Sequence, residues 1–450
     1  MLEQLINEFK NKNIVILGFG KEGRSTYIFL RKYFKDITIT IRDNNGEIKC
    51  DPVLSKDKNI TFITGDDYLD NLEQYDIIMK TPGISFKDIN IKNIEHKIFS
   101  QLEFLIKYFK NNIIGVTGTK GKSTTSSLMY DILKNNNKDC FLLGNIGTPI
   151  FDFIDQIRKD TLLVVEMSSH QLEFINYSPR ISIITNFYQD HLDHTNGIDA
   201  YYQSKLNITR YQDENDYLIY FEGCNTINKY ISSTNTNTKI LTVDFNNQNL
   251  HTYCDNHFIY INGEKVYDLT NKRNLIGNHN IINIMLVLTV SNILGLNNQN
   301  TIDAINNFKP LEHRLELVGT FNDITYYNDV IATIPEATIN AINSLEKVNT
   351  LIFGGLDRGI NYNYFIKYLK NSNIENLICM PTTGHTIAKK LKTANKNIYI
   401  VDTLEEAVEK AKEVTRSGQI CLLSPAAASY EYFKNFQEKG EVFKKLVKNE

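Results

Sequence analysis

Three glycines at three-residue intervals, then Lys122, Ser123 and Thr124, close an apolar run in the stretch 113–125, IIGVTGTKGKSTT. A buried strand that turns through glycines into a helix aims backbone N–H groups and the positive end of the helix at a polyphosphate. Lys122 then reaches the terminal phosphates and the Ser123 hydroxyl meets a Mg²⁺. Val116 stands where the strict P-loop pattern has its first glycine, so the spacing is GxxGxxGKS on Gly115, Gly118 and Gly121, a tighter variant. Gly118, Thr119, Lys120, Gly121, Lys122, Ser123 and Thr124 are the expected contacts of an ATP.

Further chemistry-bearing residues follow buried strands downstream. In LLVVEMSS the apolar run 162–165 ends in Glu166, and a carboxylate at the end of a buried parallel strand beside a phosphate loop is placed to hold Mg²⁺. The run from Ile181 to Asn186 leads into NFYQDHLDHT, which packs Asp190, His191, Asp193 and His194 together. His191 is open to two roles there, as a second-metal ligand or as a phosphate contact. Lys205 lies on a predicted helix, and spacing alone makes it a solvated lysine.

The elements that must position these groups alternate. Near the start, NIVILGFGKEG is a buried strand running into Gly18, Gly20 and Gly23, a GxGxxG in a βα setting. The next strand ends at Arg42-Asp43, where an acid can hold a ribose hydroxyl. A further strand, 76–80, leads into the rigid turn Thr81-Pro82-Gly83 at the carboxyl edge of a sheet, where crevices bind ligands. The chain therefore carries two nucleotide-type sites. Alternation resumes after Pro310, with strands expected at 325–329, 349–355, 398–401 and 419–424 and no glycine phosphate loop among them.

Composition bounds the answer. At 450 residues the length prior is about three domains. With 42% hydrophobic and 22% charged residues a sizeable core can form, and a net charge of −3 gives no bulk attraction to nucleic acid or anionic membrane. The opening MLEQLINEFKNKN lacks the apolar core of a signal peptide and no run approaches a membrane span. Six scattered cysteines argue against both zinc and disulfides, so a cytoplasmic protein is expected.

In their order, GVTGTKGKSTT, GNIGTP, EMSSHQLE, NFYQDHLDH followed by YYQSKLNI, GNHNIINIM and LEHRLE resemble the Mur ligases, enzymes that build the peptidoglycan stem peptide. The C-terminal LLSPAAASYEYFKNFQEKGEVF is most similar to the branch that adds D-glutamate to UDP-N-acetylmuramoyl-L-alanine. The resemblance spans nearly the whole chain. It implies three α/β domains: a Rossmann-like 1–98 for the UDP-sugar, a P-loop ATPase domain 99–310, and a Rossmann-like 311–450 for the amino acid. It implies an acyl-phosphate mechanism with ATP and two Mg²⁺, and catalytic roles for Lys122, Glu166, His191 and Lys205. Ser123, Glu166, His191 and Lys205 match the metal positions, Lys205 as the lysine that family members carbamylate. Asn280, Asn283, Arg314 and Asp329 join the ATP contacts. Gly20, Lys21, Glu22, Asp43, Gly83, Asn145 and Gln171 face the UDP-sugar, and Thr333, Arg358, Ser429 and Phe436 the amino acid.

Two departures from the D-glutamate pattern stand out. The usual NDSKATN reads NDVIATI, with Val330 and Ile331 in place of Ser and Lys, and the lysine of GGxxK is Arg358. An arginine still clamps a carboxylate bidentately. The departures leave open a ligase for L-glutamate or another amino acid. A nucleotide-gated binding protein without ligase activity is the remaining alternative, and a folate-type ligase fits less well because of the complete first domain. No coiled coil or exposed repeat is seen, so a monomer is expected.

Overall fold

The computed structural model describes residues 1–87, 89–145, 148–190, 197–234, 237–345, 347–391, 395–429 and 433–449. The fold is α/β and is built on three sheets. The chain divides into two compact units, one from segments 1–187, 194–271 and 282–305 and the other from 188–193, 272–281 and 306–450.

The first unit holds two of the sheets. Strands β1 (Ile14–Leu17), β2 (Ile39–Asp43), β3 (Ile60–Thr64), β4 (Ile77–Lys80) and β5 (Ile98–Phe99) form a parallel sheet in the order β3-β2-β1-β4-β5. β1 and β4 are buried at every position, as expected of central strands covered on both faces. The second sheet has β6 (Ile113–Thr117), β7 (Cys140–Gly144), β8 (Leu162–Glu166), β9 (Ile181–Ile184), β10 (Tyr217–Phe221), β11 (Lys239–Phe245), β12 (Thr252–Cys254), β13 (Phe258–Ile261) and β14 (Glu264–Asp268). Its order is β14-β13-β12-β11-β10-β9-β6-β8-β7. Parallel pairing runs from β7 to β12, and β13 and β14 add antiparallel. This antiparallel edge is not expected from the sequence pattern.

The two sheets of this unit share one core. Phe9, Phe29, Phe104 and Phe151 cluster between them, with ring centroids 5.0 Å apart for Phe9–Phe104 and 4.4 Å for Phe29–Phe151. Gln101 stitches them by polar contacts: its Nε2 donates to the Glu22 carbonyl at 3.0 Å, and its Oε1 accepts from the Phe151 N–H at 3.1 Å.

The second unit holds the sheet β15-β16-β20-β17-β18-β19, built from β15 (Glu316–Phe321), β16 (Ile324–Asn328), β17 (Val348–Phe353), β18 (Asn376–Cys379), β19 (Asn397–Ile400) and β20 (Ile420–Leu423). Only β15 runs antiparallel. The period-2 alternation of strands sorts its buried residues into two cores, one per face. Leu351, Phe353, Leu377, Cys379 and Leu422 point to one, and Ile352, Ile378, Cys421 and Leu423 to the other. Among the described residues, no helix is long and apolar enough to cross a membrane.

Candidate active site

The glycine loop follows β6 directly and enters the helix Lys122–Asn135. The structure separates the three glycines by task. Gly115 lies within β6, where a Cβ would come 2.8 Å from Pro179 and 2.9 Å from Met167, so it serves strand packing. Gly118 (φ +142°) and Gly121 (φ +85°) form the turn itself, in backbone conformations that L side chains rarely adopt. A Cβ on Gly118 would meet Thr185 Oγ1 at 2.0 Å.

The segment after β9 pins the loop. The Thr119 N–H donates to the Asn186 carbonyl at 2.9 Å, the Lys120 N–H to Asn186 Oδ1 at 2.8 Å, and Thr185 Oγ1 to the Lys120 carbonyl at 2.6 Å. Thr124 is buried on the first turn of the helix, and Ser123 beside it is half-buried. From the helix Asn278–Ile293, Asn283 Oδ1 accepts from Thr125 Oγ1 at 3.2 Å.

Two lysines converge on this loop. Lys122 Nζ donates to the Gly118 and Thr119 carbonyls at 3.0 and 2.9 Å. Lys205, on the helix Ile198–Arg210, donates to the same Gly118 carbonyl at 2.9 Å, with its ammonium 4.5 Å from the Tyr201 ring centre. It is 2% exposed, so packing overrides the solvated position its helix spacing suggests.

Glu166 ends β8, paired beside β6, and is 1% exposed. Its Oε1 accepts from Asn145 Nδ2 at 2.8 Å, while Oε2 is buried with no hydrogen-bond partner among the described residues. A buried carboxylate oxygen left this way is costly unless a cation takes it. A hard oxygen on the strand beside a phosphate loop suits Mg²⁺. The donor set thus fits that ion. His191, Asp193 and His194 lie outside the described residues. Asp190 is buried at the segment's start, in the second unit.

Of the expected UDP-sugar residues, Gly20, Lys21, Glu22, Asp43 and Gly83 lie at the carboxyl edge of the first sheet, whereas Asn145 and Gln171 follow β7 and β8 of the second. Gly20 caps the helix Lys21–Tyr33, whose first turn holds Lys21 and Glu22. Glu22 is half-buried, desolvation pushes its carboxyl pKa up, and its Oε1 accepts from Gln171 Nε2 at 2.7 Å. Gln171 belongs to a capping box with Ser168. Asp43, at the end of β2, accepts from the Phe19 N–H at 2.7 Å and the Asn45 N–H at 2.8 Å, so it shapes the glycine turn after β1. Gly83 has open space where a side chain would start.

In the second unit, Asp329 follows β16; its Oδ2 accepts from Ser424 Oγ at 2.8 Å and its Oδ1 from the Leu315 N–H at 3.1 Å. Arg314 stands beside His279, and burial, helped by that guanidinium, pushes the His279 imidazole down to about 4. Asn280 Nδ2 donates to the Ile276 carbonyl at 2.8 Å. The loops bearing Arg358 and Ser429 are tied at Leu356–Ala428, where the N–H···O distance is 2.8 Å. Ser429 Oγ is buried and has no partner among the described residues. Thr333 precedes the helix Pro335–Ser344, and Phe436 opens the helix Phe436–Lys448 with its ring 6.1 Å from His313. Val330, in the place of the Ser, is fully buried in one of the two cores, and Ile331, in the place of the Lys, is half-buried. Sequence reasoning missed Lys439, whose ammonium is buried against the Gly354 carbonyl at 3.3 Å and whose pKa burial lowers to about 8. It also missed Lys80, on β4. Nothing local marks either, because each looks like an ordinary lysine near the end of a strand or helix.

A pinned glycine loop, converging lysines and a half-paired acid on the adjacent strand define a nucleotide-dependent phosphoryl-transfer site. Three family models match the chain: the Mur ligase MurD-like N-terminal domain over 12–100, the Mur ligase middle domain over 116–291, and the Mur ligase glutamate ligase domain over 313–427. The chain belongs to the Mur ligase family. It is 34% identical over 462 residues, covering 98% of both chains, to the UDP-N-acetylmuramoylalanine–D-glutamate ligase of Oenococcus oeni. To the enzyme of that name from Clostridium tetani it is 32% identical, covering 98% of this chain and 99% of the relative. Among solved structures it resembles the UDP-N-acetylmuramate–alanine ligase MurC of Thermotoga maritima, with a TM-score of 0.61, 19% identity and coverage of 98% and 100%. It also resembles the MurF ligase of Thermotoga maritima in complex with ADP, with a TM-score of 0.60, 15% identity and coverage of 99% and 97%. At these identities the structural likenesses speak for the fold.

Proposed function

We propose that this chain is the ATP- and Mg²⁺-dependent ligase that joins D-glutamate to UDP-N-acetylmuramoyl-L-alanine in peptidoglycan precursor synthesis. The observation that carries the phosphoryl-transfer chemistry is Glu166, a buried carboxylate with one oxygen held by Asn145 and the other unpaired, on the strand beside the Gly118–Lys122 turn. The full-length likeness to relatives named for D-glutamate ligation supports the choice of amino acid. Arg358 is the guanidinium we assign to the amino acid's carboxylate.

Phosphoryl transfer asks the protein for in-line positioning and charge neutralisation. The loop N–H groups and Lys122 hold the terminal phosphates of ATP, and Ser123 and Glu166 hold the metal. Bound there, Mg²⁺ neutralises phosphate charge and polarises the transferred group. The γ-phosphoryl group passes to the alanine carboxylate and ADP leaves. The amine of glutamate, having lost a proton, attacks the acyl phosphate, giving the amide and inorganic phosphate.

A second metal position at His191 and Lys205 is part of the proposal. Two ammonium groups on one carbonyl repel each other; loss of a proton from Lys205 and addition of its free amine to CO₂, with loss of a second proton, would replace one of them by a carbamate anion. That anion is a hard oxygen donor suited to Mg²⁺. We assign 1–98 to the UDP-sugar, 99–310 to ATP and 311–450 to the amino acid. On sequence position, Asn280, Arg314 and Asp329 go to the nucleotide, and Thr333, Ser429 and Phe436 join Arg358 at the amino acid. We also propose that the protein works as a cytoplasmic monomer. The test is product formation from ATP, UDP-N-acetylmuramoyl-L-alanine and D-glutamate, read by mass, with and without chelation of magnesium. A product one glutamate heavier that vanishes on chelation is expected, and its absence with magnesium present contradicts the proposal.

A further inference from the structure

Lys80 ends β4, one residue before the Thr81-Pro82-Gly83 turn, and is 5% exposed. Its Nζ makes no hydrogen bond among the described residues. The nearest carboxylate oxygen, Glu173 Oε2, is 3.7 Å away, and the Phe86 and Phe174 ring centres lie at 5.9 and 5.6 Å. A buried ammonium with three donors unspent is expensive. The pair does not offset that cost: burial pushes Lys80 down and Glu173 up in spite of their mutual attraction.

The same Lys80 lines a small cavity together with Pro82, Ser100, Glu103, His170 and Gln171. The cavity lies at the carboxyl end of a parallel strand, where such sheets bind ligands. Its Gln171 is one of the residues assigned to the UDP-sugar, and Gln171 is fixed by the 2.7 Å bond to Glu22. A hydroxyl, an imidazole, an amide and one under-used cation stand there among Ile98, Phe99 and Phe174 and beside the Glu103 carboxyl, which burial shifts toward its neutral form, and such a set suits an oxyanion carried on a sugar nucleotide.

We propose that Lys80 is a substrate contact, its ammonium taking an anionic oxygen of the UDP-sugar, either of the pyrophosphate or of the alanine carboxylate. This rests on the UDP-sugar reading given above. Glu173 then keeps the ammonium in place until substrate displaces it, and is no part of the contact itself.

The test is titration calorimetry of the full-length protein and two variants with UDP and with UDP-N-acetylmuramoyl-L-alanine, alongside thermal melting. Lys80→Met keeps the volume and removes the charge; the expected loss is on the order of tenfold or more in affinity. A similar loss for both ligands assigns the pyrophosphate, and a loss confined to the alanine-bearing ligand assigns the carboxylate. Glu173→Gln removes the ion pair and leaves the ammonium, and is expected to bind both ligands at least as well as the unaltered protein. Unchanged affinity in Lys80→Met overturns the inference. So does a loss in Glu173→Gln matching that of Lys80→Met, because the pair would then act as a structural tie. Failure of the unaltered protein to bind either ligand overturns the UDP-sugar reading itself, and this inference with it.

Discussion

Lys122 and Lys205 donate to the same acceptor, the Gly118 carbonyl oxygen, at 3.0 and 2.9 Å. One lysine starts the helix after the glycine loop and the other comes from a helix much later in the chain. Two positive charges therefore meet at the glycine turn assigned to the nucleotide. Neither is equivalent to the other: Lys122 belongs to the loop, whereas Lys205 reaches it from behind the Tyr201 ring.

Lys122→Met is expected to lower turnover by about a hundredfold or more, the scale of losing one charge-stabilising group aimed at the transferred phosphoryl. Affinity for UDP-N-acetylmuramoyl-L-alanine should stay within about twofold, since Lys122 is not among the residues assigned to that ligand. Steady-state rates together with a binding titration check both halves.

Removing the side chain at Lys205 separates its two possible roles. If the amine works as a carbamate, Lys205→Ala loses most activity, and formate or acetate restores part of it by supplying the missing oxygen ligand. Unimpaired turnover in Lys205→Ala rules the role out. A loss without rescue by either acid leaves Lys205 as a cation on the Gly118 carbonyl.

Gly118→Ala tests the loop's shape. The added Cβ would lie 2.0 Å from Thr185 Oγ1 and 3.1 Å from the Asn186 backbone, at a φ of +142°. Thr185 is itself bonded to the Lys120 carbonyl, so it cannot move without loosening the loop. The expected cost is about 2 kcal/mol of stability with loss of ATP binding, read by thermal melting with and without nucleotide. By contrast, ATP should still raise the melting temperature of Gly115→Ala, because Gly115 sits inside β6.

Much of this arrangement is legible in the sequence, for local reasons. An apolar run, a glycine turn and Lys-Ser sit in consecutive residues, and Glu166 directly follows its buried strand. What is not legible depends on long-range packing. Nothing around Lys205 marks it as 2% exposed, and nothing around Lys80 marks its cavity. The antiparallel edge β13–β14 escapes because β13 is four apolar residues without alternation and β14 is a short, largely polar strand, so neither carries a period-2 signal. The pinning of the loop by Asn186 likewise links residues about seventy positions apart in the sequence, beyond any pattern window.

Glu103 gives a pH dependence. Burial pushes its carboxyl up to about 7 from an ordinary 4.5, against the 3.1 Å hydrogen bond donated by Asn176. Between those values the folded chain holds a proton that the unfolded chain has lost. The group's contribution is therefore fully present below pH 4.5 and is lost as pH rises through about 7. Glu103→Gln, neutral at every pH, should stabilise the protein by on the order of 2 kcal/mol at pH 8 and hardly at all near pH 4.5. Denaturant melts at the two pH values provide the comparison.

The central claim is the identity of the joined amino acid, because Val330, Ile331 and Arg358 all lie on the unit assigned to it. The most direct measurement is phosphate release from ATP with Mg²⁺ and UDP-N-acetylmuramoyl-L-alanine, with D-glutamate, L-glutamate and other amino acids added one at a time. Strong stimulation by D-glutamate alone is predicted, lost when Arg358 is replaced by alanine. Stimulation by L-glutamate or another amino acid in preference to D-glutamate would contradict the claim, as would the same low release with every amino acid.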